Sequence, residues 1–339
     1  MTTRLSSVPS LLEQVQAMTL KPFGSWPAQG RPEGYFAVEQ TGNAAGFFRE
    51  NGFVVLDQAL SHAEVDALNR ETARLCRNEK GEIDGINTAT PDESDAEVMK
   101  RVLCIHFPHK LSALMTKTLH QPAIVDLLTK VIGPNVKCMQ SMLFVKASGK
   151  PGQAWHQDED YIPTRDRSLT GAWIALDDAT VVNGCLWVLP KSQRQGILWP
   201  QKEHENLNFD CAQESYQFPW RDEGSVPVEV KAGSIVFFNG YLLHRSLRNR
   251  ATEGFRRSLV NHYMSAESLL PWMSPAKMTG SVAQADYRDI VMVAGTDPYA
   301  YKGVSTMAKA MVRPTGEGGC ESWGGKKKKA DAAMAPKAS

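Results

Sequence analysis

The sequence predicts a mainly β fold with flanking helices, organised as a double-stranded β-helix, the cupin-like jelly roll. Two observations predict it. From Val136 to about Ser265 the chain falls into short strand-like runs separated by turn residues, the rhythm of a sandwich or barrel. Ahead of that region lie segments with the apolar spacing and the cap signals of helices that would pack beside a sheet. Among β architectures the jelly roll suits this chain because its two facing sheets leave an open-ended interior where inward side chains converge on a ligand.

The elements follow in order. After a Pro- and Gly-rich opening (Pro22 to Tyr35), Ala44 to Glu50 reads as a short helix running into Gly52, and Phe53 to Leu56 as a buried strand. Ser61-His62-Ala63-Glu64 fits a capping box, in which Ser61 serves the third backbone N–H and Glu64 reaches back. The helix it starts carries Val65, Leu68 and Leu75 on one face and should end near Asn78. The polar stretch Asn78 to Glu97 offers little to bury and is expected to be a mobile surface loop. Leu111 to Leu119 and Pro122 to Ile132, closed by Gly133-Pro134, read as two further helices. The expected strands are Ser141 to Lys146, Gly171 to Leu176, Cys185 to Leu189, Val226 to Val230, Ser234 to Phe238 and Arg257 to Met264.

Bulk properties narrow the function. A chain of 339 residues with 42% hydrophobic content can bury a large core, so one elaborated domain is expected over 44–312, with its jelly-roll core at about 136–265. An N-terminal extension (1–43) and a disordered tail (313–339) flank it, and the Lys326 to Lys329 run reads as part of a solvated tail rather than a nuclear signal. The formal net charge of +1 favours neither nucleic acid nor an anionic membrane, which leaves a small molecule as the expected partner. Cys76, Cys104, Cys138, Cys185, Cys211 and Cys320 are scattered without a close pair, as in a reduced cytoplasmic protein. Neither a signal peptide nor a membrane span is expected, and the composition fixes no oligomeric state.

The chemistry centres on Trp155-His156-Gln157-Asp158. On an extended strand side chains alternate, so His156 and Asp158 project from one face and can grip one ion. With a second histidine they would form the two-His, one-carboxylate facial triad that suits Fe(II) and leaves coordination positions open. The pair alone is weak, since about 0.4 His-x-Asp occurrences are expected by chance in a chain of this composition. Its company is specific: Trp173-Ile174-Ala175-Leu176-Asp177-Asp178, then Asn183-Gly184-Cys185-Leu186-Trp187-Val188-Leu189-Pro190, then Gly233 to Phe238, His244, and Gly254-Phe255-Arg256.

In this order the chain resembles the phytanoyl-CoA dioxygenase family, from about Gly46 to Ala266. The resemblance implies a jelly roll, Fe(II), and 2-oxoglutarate and O2 as cosubstrates, with succinate and CO2 released as an organic substrate is oxidised. By motif position His156, Asp158 and His244 match the metal ligands, and Arg256 matches the arginine that binds the remote carboxylate of 2-oxoglutarate. A guanidinium fork suits that task, since it gives two charge-assisted bonds and stays protonated. Arg257 is the rival, and alternation places only one of the two inward; Ser258 shares the parity of Arg256 and could serve the same carboxylate or be a core serine. Gln140, Lys146 and Trp173 are further matches to the cosubstrate pocket, with a surface lysine and a packing tryptophan as the plain alternatives.

Other residues are set aside. His262 shares the parity of Arg256 but lacks a partner at ligand spacing; Asp160 shares that of Asp158 but fits facial geometry less well; His106, His109 and His120 precede the strand-rich region. Where the family shows Gly-Ser-His after Leu-Pro, this chain reads Lys191-Ser192-Gln193, which bears on the local turn and not on the ligands. Related halogenases replace the carboxylate ligand with a small residue, so Asp158 implies hydroxylation or another oxidation. Ile197 to Arg221, with Trp199, Tyr216 and Trp220, is expected as a lid over the barrel mouth. Two other classes stay open: a non-catalytic jelly-roll binding or scaffold protein, and a cupin-like isomerase or hydrolase using another metal.

Overall fold

The structure, a computed structural model, describes residues 32–210, 213–270 and 286–313. Most of the expected N-terminal extension, the Lys326 to Lys329 tail, Cys211 and Cys320 lie outside them.

The helices form where their caps are written. Helix α1 (Thr41–Asn51) stops at Gly52, which takes a left-handed φ of 82° and donates its N–H to the Phe48 carbonyl. Helix α2 (His62–Cys76) opens on the expected capping box, with Ser61 and Glu64 satisfying each other's backbone N–H groups. Helices α3 (Asp95–Lys100), α4 (Ala113–Leu119) and α5 (Pro122–Val131) follow, α5 with Pro122 in its first turn. A single helical turn, α6 (Asp158–Tyr161), interrupts the strand region. The stretch from Asn78 to Glu97 departs from expectation. Ile83 is buried, Asp84 pairs with Met311, and Ser94 and Glu97 form a second capping box that starts α3. Ile83, with Ile86 and Ala89 packed partly buried against the same core, and the Asp84 bridge hold this polar segment against the sheet.

The strands are β1 (Tyr35–Phe36), β2 (Phe53–Leu56), β3 (Cys104–His106), β4 (Val136–Ala147), β5 (Gln153–His156), β6 (Thr170–Ala175), β7 (Leu186–Val188), β8 (Gln201–Lys202) and β9 (Glu214–Ser215). Then come β10 (Val226–Val228), β11 (Ile235–Asn239), β12 (His244–Ser246), β13 (Phe255–Ser265), β14 (Val291–Ala294) and β15 (Met311–Arg313). A nine-stranded sheet runs β1-β2-β11-β6-β13-β4-β3-β15, with β14 also on β4, and faces a four-stranded sheet ordered β10-β7-β12-β5. The interleaving of β4, β6, β11 and β13 with β5, β7, β10 and β12 is the expected jelly roll. The large sheet reaches beyond the expected core at 136–265, since β2, β3, β14 and β15 extend it.

Alternation along the large sheet sorts its side chains into two cores. Val54, Leu56, Leu143, Val145, Ile174, Ile235, Phe237 and Leu259 join the helices' Ala44, Phe48, Leu68 and Leu127. Their strand neighbours Val55, Phe144, Trp173, Val236, Phe238 and Val260 join Ala154, Leu186 and Val188 of the small sheet. A slip of one residue would exchange the two sets, so burial on both faces fixes the register. The face toward the small sheet also carries Gln140, Lys146, Arg256, Ser258 and His262.

Candidate active site

Strand β5 ends at His156, which lies directly opposite His244, the first residue of β12. Asp158 is not on the strand, as alternation had assumed, but opens α6. Gln157 keeps extended angles (φ −128°, ψ 126°), so the two side chains still emerge on one side. Ligand atoms of His156, Asp158 and His244 all lie within 4.8 Å of one another. Asp158 Oδ1 is 3.6 Å from Nε2 of each histidine, and the imidazole centroids are 4.2 Å apart. Asp160 is exposed and no part of this cluster.

Both histidines present the same nitrogen. His156 Nδ1 donates to the Ala154 carbonyl at 2.8 Å, and His244 Nδ1 donates to the Leu242 carbonyl at 2.9 Å. Each ring is thereby fixed in the tautomer whose Nε2 lone pair faces the cluster. Burial and the neighbouring His244 push His156 down to about 4, so it is a neutral ligand at physiological pH. Burial by itself would raise the Asp158 carboxyl, but His244, a hydrogen bond from His262 and His156 hold it below the usual range. Two imidazoles and one carboxylate, 4 to 8% exposed, are the donor set of a divalent transition metal with open positions. The residues fit the metal that the resemblance implies.

The residue between two ligands holds the surroundings. Gln157, fully buried, donates to the carbonyls of Ile197 and Tyr241 and accepts from the Trp199 N–H. Trp155 and Arg245, which alternate with His156 and His244, lie on the outer face of the small sheet, Arg245 stacked 4.4 Å from the Trp155 ring. Asp222 accepts from both at 2.9 and 3.0 Å, and Phe218 packs on Trp155. The segment expected as a lid is thus pinned at both ends, and its far end seals the wall behind the ligands. Ser192 Oγ accepts from the Leu243 N–H, so the Lys191-Ser192-Gln193 turn supports the ligand strand.

The two arginines have opposite fates. Arg257 makes a two-point pair with Asp177, Nε–Oδ2 2.8 Å and Nη2–Oδ1 2.6 Å, and its own N–H also bonds that carboxylate. Arg256, 3% exposed, donates to Ser258 Oγ at 2.9 Å, stacks over Trp173 at 5.4 Å and leaves Nε without a partner among the described residues. Burial lowers it to about 10, so it stays charged at neutral pH. A charged, buried guanidinium with an idle donor is a seat for a carboxylate.

Lys146 faces Arg256 across the β4–β13 ladder. Its ammonium donates to the Leu247 carbonyl at 2.6 Å, to Ser246 Oγ at 3.2 Å and to the Gly184 carbonyl at 3.3 Å. All three donors are taken, and burial followed by the charge of Arg256 holds it well below the usual lysine range. Gln140 lies opposite His262, and its amide nitrogen is 3.4 Å from His106 Nδ1. His106, set aside because it precedes the strand-rich region, in fact belongs to β3 of the large sheet. His262 was also set aside, yet its Nε2 donates to Asp158 Oδ2 at 2.9 Å. Its parity with Arg256 was the available signal, and a search for ligand spacing could not recognise a partner of a ligand.

The sequence pattern of the phytanoyl-CoA dioxygenase (PhyH) family matches residues 48–258, more than half of the chain. The chain belongs to the phytanoyl-CoA dioxygenase family. Among relatives, the phytanoyl-CoA dioxygenase of Arabidopsis thaliana is 31% identical over 51% of this chain and 62% of its own length. The peroxisomal phytanoyl-CoA dioxygenase of Bos taurus is 31% identical over 65% of this chain and 67% of its own. With the rice phytanoyl-CoA dioxygenase 1, matched over 57% of its length, the plant relatives are spanned for about three fifths. Solved structures share the fold of this family member. SnoK, a non-heme alpha-ketoglutarate-dependent carbocyclase from nogalamycin biosynthesis, superposes with a TM-score of 0.53 at 24% identity, over 77% of this chain and 100% of its own. EvdO2 from Micromonospora carbonacea, solved with 2-oxoglutarate, gives 0.54 at 23% identity, over 68% and 96%.

Proposed function

We propose that this member of the phytanoyl-CoA dioxygenase family is an Fe(II)- and 2-oxoglutarate-dependent dioxygenase that hydroxylates a small organic substrate and releases succinate and CO2. One observation carries the reading. The inward face of β13 joins a two-imidazole, one-carboxylate cluster, reached through His262, to a buried guanidinium that has no carboxylate partner among the described residues. A metal site alone would serve many reactions; a second, separate seat for an anion suits a chelating dicarboxylate.

A metal held by His156, Asp158 and His244 would supply the positions on which 2-oxoglutarate and O2 meet and the oxidising power of the reaction. The chain's part is to arrange and protect. Arg256 and Ser258 hold the remote carboxylate of the cosubstrate, with the Trp173 ring packed against the planar guanidinium. Lys146, its donors already engaged, ties β4 to the loops after β12 and before β7. Gln140 supports the floor through His106. Phe238, whose ring centroid lies 4.6 Å from that of His244, and Trp173 keep water from the cluster.

Among the described residues no helix is long and apolar enough to cross a membrane. Cys76, Cys104, Cys138 and Cys185 are free and buried, which supports a reducing compartment such as the cytoplasm. The test is succinate formation by the purified chain, loaded anaerobically with Fe(II) and 2-oxoglutarate and then given O2, with and without a mixed substrate library. Substrate-stimulated succinate is the expected result. Failure to bind either Fe(II) or 2-oxoglutarate would overturn the reading in favour of a non-catalytic binding protein.

A further inference from the structure

The two oxygens of Asp158 are not equivalent. Oδ1 lies 3.6 Å from Nε2 of both His156 and His244, whereas Oδ2 accepts from His262 Nε2 at 2.9 Å. Ligand atoms bound to one ion at about 2.1 Å and at right angles sit about 3 Å apart, so Oδ1 is the oxygen placed to share an ion with both imidazoles. Oδ2 is turned to the opposite sheet.

We propose that His262 is a positioning residue that holds Asp158 to one-oxygen ligation and so keeps a coordination position open for the cosubstrate. The proposal rests on the metal-site reading above. A carboxylate with both oxygens free can chelate an ion through both, and a second Asp158 oxygen on the metal would take one of the places that a chelating 2-oxo acid and O2 require. His262 prevents this from outside the ligand elements. It sits on β13 of the large sheet, while His156 and His244 sit on the small sheet and Asp158 on α6, so the bond spans the interior.

A histidine kept only for packing would satisfy its ring locally. His262 does not: it is 4% exposed, its bond to Asp158 is the hydrogen bond its ring makes, and Nδ1 has no partner among the described residues. A buried polar nitrogen left idle is unfavourable, and that cost follows from aiming the ring at the carboxylate. The aim is set by backbone register. His262 pairs with Gln140 immediately before the ladder shifts, and beyond the shift Tyr263 pairs with Cys138.

The experiment titrates the full-length apoprotein anaerobically with Co(II), reading affinity by calorimetry and coordination by the visible absorption bands. It compares wild type with His262→Leu and His262→Met, which fill the space without a donor, with His262→Gln, whose amide can still donate to Oδ2, and with Asp158→Ala. We expect the two apolar variants, folded by their melting curves, to bind Co(II) about 10–100-fold more weakly with altered bands. His262→Gln should recover most of the affinity and the wild-type spectrum. Wild-type affinity and spectrum in a folded apolar variant, or a folded His262→Gln no better than leucine, would overturn the proposal. Asp158→Ala separates the two failures. If it loses Co(II) while the His262 variants do not, only the role of His262 falls; if it binds like wild type, the metal site itself is misassigned.

Discussion

Arg257 and Asp177 close a two-point ion pair that also captures the Arg257 backbone N–H, so this arginine's guanidinium is engaged by a carboxylate of the chain itself. Arg257 is committed; Arg256, one position earlier and on the other face of β13, keeps an idle Nε.

Arg256→Gln should therefore weaken 2-oxoglutarate binding by about 1.5–3 kcal/mol, roughly 10- to 150-fold, the range for a charge-assisted hydrogen-bonded group. Arg257→Gln should leave that affinity unchanged and lower stability by about 1 kcal/mol. Calorimetric titration with 2-oxoglutarate and thermal melts of both variants check this. The reverse pattern would exchange their roles.

Lys146 should behave as a strut. Removing its ammonium leaves the carbonyls of Leu247 and Gly184 without that donor, at about 1–3 kcal/mol each. Lys146→Met is expected to show a clearly lowered melting temperature while the surviving folded protein still binds 2-oxoglutarate. A variant of normal stability that fails to bind the cosubstrate would make the lysine a direct ligand.

Gly171 is small for a reason that reaches the metal cluster. A Cβ there would stand 2.3 Å from Cζ of Phe238, the ring that packs on His244. Gly171→Ala is expected to cost about 1–3 kcal/mol by overpacking and to reduce succinate formation as Phe238 is pushed toward the ligand. An unchanged melting temperature would show that the site relaxes freely.

Acid should destabilise the fold before the carboxylates titrate. Burial lowers His106 to about 3 and His109 to about 4, from an ordinary value near 6.5. Below pH 6.5 the unfolded chain takes up protons at these rings that the folded chain refuses, so stability falls as pH falls through that window. Glu159 works the other way. Burial raises it to about 7, so its contribution is present at low pH and is lost as pH rises toward 7. These two rings, with His156 likewise lowered to about 4, outweigh the one carboxyl and give a net fall in melting temperature from pH 6.5 to 4.5, and His109→Gln should make it shallower. An unchanged slope in that variant would refute the assignment.

The sequence by itself determined the jelly roll, the starts of α2 and α5 and the pairing of His156 with Asp158, because each is written in local terms. Caps need residues at fixed offsets, strands need alternation, and His156-x-Asp158 puts two ligands on one side of a short extended stretch. Even the error about the strand was harmless, since Gln157 is extended whether or not Asp158 is. Tertiary structure alone decided what depends on partners distant in the chain. Parity could place either Arg256 or Arg257 inward, and only Asp177, brought alongside β13 from the end of β6, removes one of them. Lys146 matched a ligand-binding position by motif, yet its surroundings come from Gly184, Ser246 and Leu247. His262 had the right parity and no visible purpose, because its partner, Asp158, comes from the far side of the sandwich. Short-range geometry is fixed by bond rotation and spacing; the identity of a hydrogen-bond partner across two sheets is fixed only when they pack.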